Sequence, residues 1–439
     1  MIGRSMMFGF MAELFGQLGV TAQATEVNVI YDKAYQSQTD VKAFFRARAM
    51  GTIIQATIFA KDKPAVERIA DRFSATFTRH EDLLSVHKPG PMTNLNAHAG
   101  EWGVMPCEAA HVLQKAKDAA QLTNGAFDPT IGTVTAQWSV GFGGTSVPSS
   151  STLADAKAKV DWRKVEVDFS NESQSVCRAR IGQGQSVDLG GIGKGWSNQI
   201  LAQQVEDDGA HRAMVVLGGN TAFVGKPTYG DKWLSAIPSA EDQYDYVGYF
   251  KLKAGDIVTT SSDKECHIDI KGKRYGHIMS GRTGKPAENT FAYVTVIDHD
   301  GARGDALSTA LWVLGDKAFD FLKAHPDIQA LLVMKEGKVA YETARMLKAT
   351  GSRSRPLSEG ACAHQGKAET DFGENHAKDE FEQEGAPKNS KASAGEKNLQ
   401  ARSLGQGDCE RFCLWGVEWK CSRCPHSCFS SNRNWWSFF

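Results

Sequence analysis

One glycine-crowded segment, VDLGGIGKGW at residues 187–196, constrains this chain more than any other feature. It holds four glycines and one lysine within ten residues. Because glycine tolerates positive φ angles and close backbone approach, such a segment forms either a tight turn between core elements or a phosphate-binding loop. In a phosphate loop, Lys194 would supply positive charge and Asp188 an acceptor. Two common phosphate motifs are excluded: a P-loop needs glycine at Asp188 and Ser or Thr at Gly195, and the GxGxxG order is missing.

Length and charge narrow the classes of protein to which the chain can belong. Its 439 residues can hold more than one domain and bury a substantial core. The 50 Lys and Arg residues nearly balance the 51 Asp and Glu residues, so no basic excess argues for nucleic-acid binding. No apolar run in the sequence is long enough to span a bilayer.

The N-terminus has the features of a weak export signal. Arg4 precedes an apolar stretch at residues 5–20, and Ala22-Gln23-Ala24 has the small-residue pattern of a cleavage site. We therefore expect residues 1–24 to be a signal peptide and the protein to be periplasmic or otherwise exported. Glu13 interrupts the apolar stretch, so an uncleaved helical or disordered leader is the alternative.

Residues 25–345 show alternating helix and strand signals typical of one globular unit. Apolar periodicity and β-branched content predict strands at residues 52–59, 162–167, 186–189, 214–217 and 293–297, and helices at residues 64–84, 108–122, 195–206 and 305–314. This mixture favours an α+β core with two lobes.

The composition changes after this unit. Residues 346–408 are predicted to be a polar, disordered linker, because aliphatic side chains become few and Glu, Lys, Gly, Ser and Gln dominate. Residues 409–439 form a tail rich in Cys and aromatic residues. Five cysteines and a histidine there would suit a zinc site, a disulfide-bonded module or an unstructured extension: Cys409, Cys413, Cys421, Cys424, Cys428 and His426. The other four cysteines, Cys107, Cys177, Cys266 and Cys362, are scattered and are interpreted as incidental.

Four further segments carry polar groups that suit the chemistry of a phosphate loop. Asp305 and Thr309 lie four residues apart, so on a helix both oxygens reach one hard cation. Alternatively, Asp305 is simply an acidic residue in the first turn of a helix. His277 is placed at a strand end before a Gly/Pro turn, where a structural role is the alternative to catalysis. The turns at residues 124–134, 217–220 and 257–263 are candidate phosphate or ribose contacts, or ordinary connections.

These segments, in this order, resemble the FAD:protein FMN transferases, the ApbE family of flavin transferases. The family pattern runs from a Met-Gly-Thr strand start through GAFDPT, DLGGIAKG, LGGN, a Thr-Ser turn and HIxxxxTGxP to AD(A/G)xxTA. The matching segments here are Met50-Gly51-Thr52, residues 125–130, 188–195 and 217–220, Thr260-Ser261, and residues 277–286 and 305–310. The resemblance covers about residues 47–340, nearly all of the globular unit.

The resemblance implies an α+β flavin transferase that binds FAD and Mg²⁺ and transfers FMN to a Thr or Ser hydroxyl of an acceptor protein, releasing AMP. It implies that Mg²⁺ is held by Asp305, Thr309 and the Gly191 carbonyl. It further implies that His277 is the general base and that Lys194 opposes the pyrophosphate charge. The implied FAD contacts are Met50, His87, Ala126, Phe127, Asp128, Asp188, Lys194, Gly218, Gly219, Asn220, Thr260, Ser261 and Ile278.

Three departures from the family pattern have expected consequences. His87 stands where many relatives carry an aromatic residue that faces the flavin, so we expect weaker stacking and some hydrolysis of FAD to FMN and AMP. Ser280-Gly281 replaces a frequent Asp-Pro and is expected to loosen the turn that carries His277. Gln199 replaces an aspartate.

Two other functions compete with flavin transfer. One is a Mg²⁺-dependent FAD pyrophosphatase, and the other is an FAD-binding protein without catalysis. The chain contains no convincing flavin-acceptor motif, so a transferase would modify another protein, such as a subunit of a redox complex. No nucleic acid partner and no integral membrane segment are expected; membrane association would come only through the acceptor.

Overall fold

The structure is a computed structural model that describes residues 25–35, 37–227, 231–240, 246–264, 266–342 and 346–348. The predicted signal peptide and the Cys-rich tail lie outside the described residues. The predicted linker also lies outside them except for its first three residues, which belong to the fold instead: Met346–Lys348 is a strand paired with the strand Tyr246–Leu252. The described residues belong to one compact unit. Within it, no helix is both long and apolar enough to cross a membrane.

Nineteen strands and eight α-helices are present in the described residues. The strands are β1 (Asn28–Tyr31), β2 (Val41–Ala49), β3 (Thr52–Ala60), β4 (Gly103–Pro106), β5 (Glu166–Asp168), β6 (Val176–Arg180), β7 (Ala210–Leu217), β8 (Asn220–Gly225), β9 (Trp233–Pro238), β10 (Tyr246–Leu252), β11 (Ile257–Ser261), β12 (His267–Ile270), β13 (Lys273–Gly276), β14 (Met279–Ser280), β15 (Lys285–Pro286), β16 (Phe291–Asp298), β17 (Gln329–Met334), β18 (Val339–Tyr341) and β19 (Met346–Lys348). The helices are α1 (Lys63–Leu84), α2 (Pro91–Ala97), α3 (Cys107–Leu122), α4 (Gly132–Trp138), α5 (Ser150–Lys157), α6 (Gly193–Asp207), α7 (Gly301–Leu314) and α8 (Ala318–Ala324).

A nine-stranded antiparallel sheet forms the centre of the fold, in the order β1-β2-β3-β7-β8-β11-β16-β17-β18. Strand β2, near one edge, shows the two-residue alternation of a sheet with one buried face, whereas the central strand β16 is buried along nearly its whole length. In β2, Ala43, Phe45 and Ala47 are buried while Lys42 and Arg46 point the other way. Small sheets, β4-β6-β5 among them, lie outside the central one, so the α+β prediction is confirmed.

Helix α1 covers part of the buried face because one of its stripes is apolar. Asp62 caps its N-terminus by accepting from the Ala65 backbone N–H, and Pro64 occupies its first turn. Phe73 packs edge-on against Phe45 of β2 with ring centroids 5.7 Å apart. Burying such a side chain contributes roughly 1.5–3 kcal/mol.

Helices α6 and α7 cross in direct backbone contact at Gly195 and Gly301. A Cβ atom on Gly195 would overlap the Gly301 carbonyl oxygen and lie 2.6 Å from the Asp305 Cβ. A Cβ atom on Gly301 would in turn overlap the Gly195 carbonyl oxygen. The crossing therefore requires glycine on both helices, and it brings the glycine-rich segment against the helix that carries Asp305 and Thr309.

Three sequence-based assignments need correction. Residues 162–167 are not one strand: Asp161 caps a 3₁₀ turn at Trp162–Lys164, and only Glu166–Asp168 is strand. Residues 186–189 form no strand, because the Asn96 side chain pairs with both backbone groups of Val187 and so takes the place of a neighbouring strand. Helix α7 begins at Gly301 rather than Asp305, because Asp300 caps it by accepting from the Arg303 N–H.

Cys107 and Cys177 were interpreted as incidental, and this was wrong. They form a disulfide that joins the first residue of α3 to β6 across 70 residues of sequence. Cys177 is completely buried. Closing a loop of this length restricts the unfolded chain and typically stabilises a protein by about 2–5 kcal/mol.

Candidate functional site

The glycine-rich segment is a loop fixed by its own aspartate and lysine. The Asp188 carboxylate accepts from the Gly190 backbone N–H at 2.9 Å and from the Thr135 hydroxyl at 2.9 Å. The Lys194 Nζ donates to the Gly190 carbonyl at 2.7 Å, folding the half-buried lysine back over the loop. Residues 187–192 therefore form a closed loop that leads directly into α6, whose first two residues are Gly193 and Lys194.

Asp305 anchors this loop to α7. Its Oδ2 accepts from the Gly195 backbone N–H at 2.9 Å, and the residue is only 5% exposed. Gly195 lies in the first turn of α6, where backbone N–H groups have no partner within the helix and the helix dipole favours negative charge. Since Asp305 lies in the second turn of its own helix, the alternative role at the start of α7 is excluded.

Asn220 brings an amide to the same carboxylate from the sheet. Its Nδ2 lies 3.5 Å from the Asp305 Oδ1, and Asn220 is almost fully buried. The Asn220 Oδ1 is buried without a hydrogen-bond partner among the described residues. A buried acceptor of this kind normally has a partner, so the corner between Asp305 and Asn220 suits a cation or a donor.

Gly191 of the loop packs against Thr309 of α7 and against Phe127. A Cβ atom on Gly191 would lie 3.2 Å from the Thr309 Oγ1 and 3.2 Å from the Phe127 ring, so a larger residue there would press on both side chains. The described residues contain no cluster of three or more His, Cys, Asp or Glu placed to bind a metal. A metal here would rest on one carboxylate, one hydroxyl and carbonyl oxygen, a sparse oxygen set that fits Mg²⁺.

His277 is held by the backbone of Cys266. The His277 Nδ1 lies 3.0 Å from the Cys266 carbonyl, which also accepts from the His277 backbone N–H. Because a carbonyl only accepts, Nδ1 carries the proton and Nε2 keeps its lone pair. The His277 side chain is exposed at the surface. The protein around the ring still removes part of its hydration, which lowers the pKa of His277, and the nearby positive charge of Lys194 lowers this pKa further.

The turn at residues 125–130 has a more structural character than predicted. Ala126 and Phe127 are buried in the core, with the Phe127 ring against Gly191. Burial raises the pKa of Asp128, while its carboxylate accepts from the Thr130 and Trp162 backbone N–H groups. Asp128 therefore shapes the turn that supports the loop.

The pairing of β8 with β11 brings five predicted FAD contacts close together at one end of these strands: Gly218, Gly219, Asn220, Thr260 and Ser261. Gly218 has a φ of +57°, as a turn between β7 and β8 requires. The Thr260 N–H donates to the Gly219 carbonyl at 2.8 Å. Ser261 lies 2.8 Å from the Ser308 hydroxyl, so its side chain ties β11 to α7 rather than facing outward.

Met50 and Ile278, two predicted FAD contacts, pack in different parts of the fold. Met50 adopts a positive φ of 51° in the turn before β3, and its Cε lies 3.7 Å from where a Cβ on Gly193 would stand. Ile278 is 8% exposed and belongs to the apolar core beneath α7. Met50 thus contacts the phosphate loop, whereas the Ile278 side chain supports the turn after His277.

His87 has an aromatic partner that the sequence analysis missed. The exposed His87 ring stacks on Phe142, with centroids 3.9 Å apart and an interplanar angle of 29°. Phe142 is 65% exposed and lies between Gly141 and Gly143, both with positive φ. A Cβ on Gly141 would lie 3.1 Å from the Cys266 Sγ, so this loop also runs beside the residue that holds His277.

Two of the departures from the family pattern are compensated by local contacts. The Gln199 side chain accepts from the Gly301 N–H at 2.9 Å and so fixes the start of α7. The turn after His277 is closed rather than loose: the Gly284 N–H donates to the Ser280 carbonyl, and the Trp138 indole donates to the Gly284 carbonyl. Arg282 further ties this turn to the Asn124 carbonyl.

Comparisons with known proteins agree with this geometry. A FAD:protein FMN transferase from Klebsiella pneumoniae is 30% identical over 320 residues, covering 72% of this chain and 95% of that protein. One from Treponema pallidum is 28% identical and covers 68% and 86%. The crystal structure of the ApbE protein of Thermotoga maritima superposes with a TM-score of 0.62 at 27% identity, covering 69% of this chain and 97% of that one. The model of the ApbE family matches residues 50–332, and the chain belongs to the ApbE family.

Proposed function

We propose that this ApbE-family chain transfers the FMN moiety of FAD to a Thr or Ser hydroxyl of an acceptor protein, in a Mg²⁺-dependent reaction that releases AMP. The relatives named above are FAD:protein FMN transferases that cover most of the chain. The observation that carries the proposal is the junction of the glycine loop with α7, where the buried Asp305 carboxylate accepts from the Gly195 N–H and Gly191 packs against Thr309.

Asp305, Thr309 and the Gly191 carbonyl are the residues proposed to hold Mg²⁺. The fit rests on the unpartnered Asn220 oxygen beside Asp305 and on the close approach of Gly191 to the Thr309 hydroxyl. Bound there, Mg²⁺ would neutralise charge on the pyrophosphate, which phosphoryl transfer requires more than covalent help from the protein.

The chain's own residues then supply the proton transfer and the remaining charge. His277 Nε2 takes the proton from the acceptor hydroxyl as that oxygen bonds to the phosphorus of the FMN moiety. The bond between this phosphorus and the bridging oxygen breaks, and the bridging oxygen leaves with AMP. Lys194 lies close enough to His277 to influence its pKa, and its positive charge would stabilise the charge that develops on the phosphoryl oxygens.

One incubation tests the proposal. The purified chain is mixed with FAD, Mg²⁺ and a candidate acceptor protein, and both AMP and the intact mass of the acceptor are measured. A mass increase equal to one FMN unit, with equimolar AMP and loss of both on chelation, is the expected result. Binding of FAD without any AMP would leave only the non-catalytic alternative.

The solvent exposure of His277, the proposed base, supports a competing hydrolysis of FAD. The His277 ring reaches solvent, so the same nitrogen can take a proton from water instead of from an acceptor. AMP formed without acceptor would measure this FAD pyrophosphatase activity directly. Transfer remains the main proposed activity if acceptor increases the rate of AMP release.

We also propose that the protein is exported. The leader at residues 1–24 motivates this, and the disulfide between Cys107 and Cys177 supports it, since such bonds persist in oxidising compartments. N-terminal sequencing of natively expressed protein should find Thr25 first. An intact Met1 on a cytosolic product with both thiols reduced would contradict this location.

A further inference from the structure

Three helices are joined beneath the phosphate loop by a chain of polar side chains. His80 of α1 lies with its Nδ1 2.6 Å from the Ser197 hydroxyl of α6. The His80 Nε2 lies 3.5 Å from a carboxylate oxygen of Glu108, on α3. His80 is 1% exposed and Ser197 is completely buried, so these contacts form away from water.

The direction of the hydrogen bonds follows from the partners. An ionised carboxylate only accepts, so the proton of a neutral His80 lies on Nε2 and faces Glu108. The Nδ1 lone pair then faces Ser197, whose hydroxyl donates to it. Arg79 also donates to Glu108 at 2.6 Å and holds the carboxylate in place.

The order Ser–His–Glu is that of a hydrolytic triad, but this one cannot act as such. A nucleophile must reach a substrate carbonyl or phosphorus, and the Ser197 side chain has no contact with solvent. The His80 ring is also covered by Trp196, with ring centroids 4.3 Å apart. The chain of contacts therefore acts on the protein's own structure.

We propose that His80 is a positioning residue for the phosphate loop, acting through Ser197. Ser197 lies three residues after Lys194 and two after Gly195, whose backbone N–H binds Asp305. Fixing Ser197 therefore fixes the turn that presents Lys194 and the loop to the pyrophosphate. This inference rests on the proposed FAD-binding function, because FAD supplies the pyrophosphate.

The test compares binding of FAD with binding of riboflavin, which has no phosphate. In His80→Ala and Ser197→Ala, FAD affinity measured by flavin fluorescence in the presence of Mg²⁺ should fall about fivefold to tenfold, the usual effect of one lost buried hydrogen bond. Riboflavin affinity should change less than about twofold, since the flavin end is not touched. His80→Gln, whose amide can both accept and donate, should restore FAD affinity.

His111→Ala is the matched control. His111 also contacts a glutamate, Glu172 at 2.6 Å, but it is exposed and its ring stacks on Phe169 instead of on a residue of α6. It should leave the affinity for both ligands unchanged. All variants are compared well below their melting temperatures, and Ser197→Ala carries the test if His80→Ala does not fold.

Two outcomes would overturn the inference. Unchanged FAD affinity in both Ala variants would exclude the positioning role, and parallel loss of riboflavin binding would assign the contacts to general stability. A ligand-free measurement separates this from the proposed function: amide hydrogen exchange at residues 193–197 should be about tenfold faster in His80→Ala, even if the wild-type chain binds no FAD.

Discussion

The end of the candidate site that we propose binds the pyrophosphate (the phosphate end) is built differently from the end that we propose binds the flavin (the flavin end). At the phosphate end, Asp305 is 5% exposed and hydrogen-bonded to the loop, and Asn220 is buried beside it. At the flavin end, the His87 and Phe142 rings stack on one another at the surface, and Phe142 is 65% exposed on a loop with two left-handed glycines.

This difference indicates how binding is divided between the ends. The phosphate end is preorganised, so its groups add to the rate without first being ordered. The flavin end can change its shape at little cost, because exposed rings between glycines make few fixed contacts. We therefore expect variants at the phosphate end to reduce the rate of transfer, and variants at the flavin end to reduce affinity.

The largest effect is expected for Asp305→Ala. Removing the only carboxylate of the proposed Mg²⁺ set should reduce transfer at least about 10³-fold, since a bound metal contributes several kcal/mol to charge stabilisation. Transfer rates over a range of Mg²⁺ concentrations measure this. Asp300→Ala on the same helix is the control: it removes the N-cap of α7, lowers stability and leaves the rate near normal. Undiminished activity of Asp305→Ala, or in excess chelator, would refute the metal assignment.

The second largest effect on the rate of transfer is expected for His277→Ala. Transfer should fall about 10²–10⁴-fold, while FAD affinity stays within severalfold because a general base acts on the acceptor hydroxyl. Transfer rate and FAD titration are measured on the same variant. His299→Ala is matched to it, because His299 likewise has its Nδ1 3.0 Å from a backbone carbonyl, that of Gly255, and should change neither quantity. Equal losses of rate and affinity would make His277 a binding residue instead.

The pH dependence of transfer gives a smaller and more specific effect. Desolvation and then Lys194 lower the pKa of His277, so the neutral base persists below the ordinary histidine value of about 6.5 and the rate should fall only below that pH. Lys194→Met removes a positive charge, so the pKa should rise and the residual rate should fall at higher pH than in the wild type. If the rate of Lys194→Met falls at the same acidic pH as the wild-type rate, a group other than His277 controls the pH dependence.

The smallest effect is expected at the flavin end. Phe142→Ala should weaken FAD and riboflavin equally, by about twofold to tenfold, because an aromatic contact contributes about 0.5–1.5 kcal/mol. The rate at saturating FAD should be unchanged. Val147→Ala, in the same exposed loop region, controls for loss of apolar surface. A selective loss of FAD but not riboflavin would place Phe142 at the phosphate end and remove the contrast between the two ends.

The elements with long apolar periodicity could be predicted from the sequence. The predicted bounds of helix α1 and strand β3 agree with the structure within a residue, because the apolar periodicity of residues 64–84 and the β-branched content of residues 52–59 are local signals. The strand assigned to residues 186–189 was wrong, because its partner is the side chain of Asn96, distant in sequence. Helix α7 begins four residues earlier than predicted, because its first turn contains two glycines, Gly301 and Gly304, and no apolar stripe.

Residues of the candidate site could be predicted from the sequence only where they belong to a recognisable motif. The motif residues of the glycine-rich segment contact Asp305 through Gly195 and Thr309 through Gly191, and the roles that the resemblance implies for them stay predictions. No motif marked Phe142 as the ring that stacks on His87, and no spacing rule links Cys107 to Cys177 across 70 residues. Such contacts depend on how the chain returns on itself, which a local pattern does not contain.

The crossing of α6 and α7 at Gly195 and Gly301 has a consequence for the evolution of this site. Each glycine faces the other helix's backbone, so no single substitution at either position can be accommodated by a change of rotamer. The two positions are therefore expected to be fixed together in any lineage that keeps the loop bonded to Asp305. Substitutions are expected instead in the exposed aromatic residues and surface loops around the site, where chains of this fold can diverge to suit different acceptors.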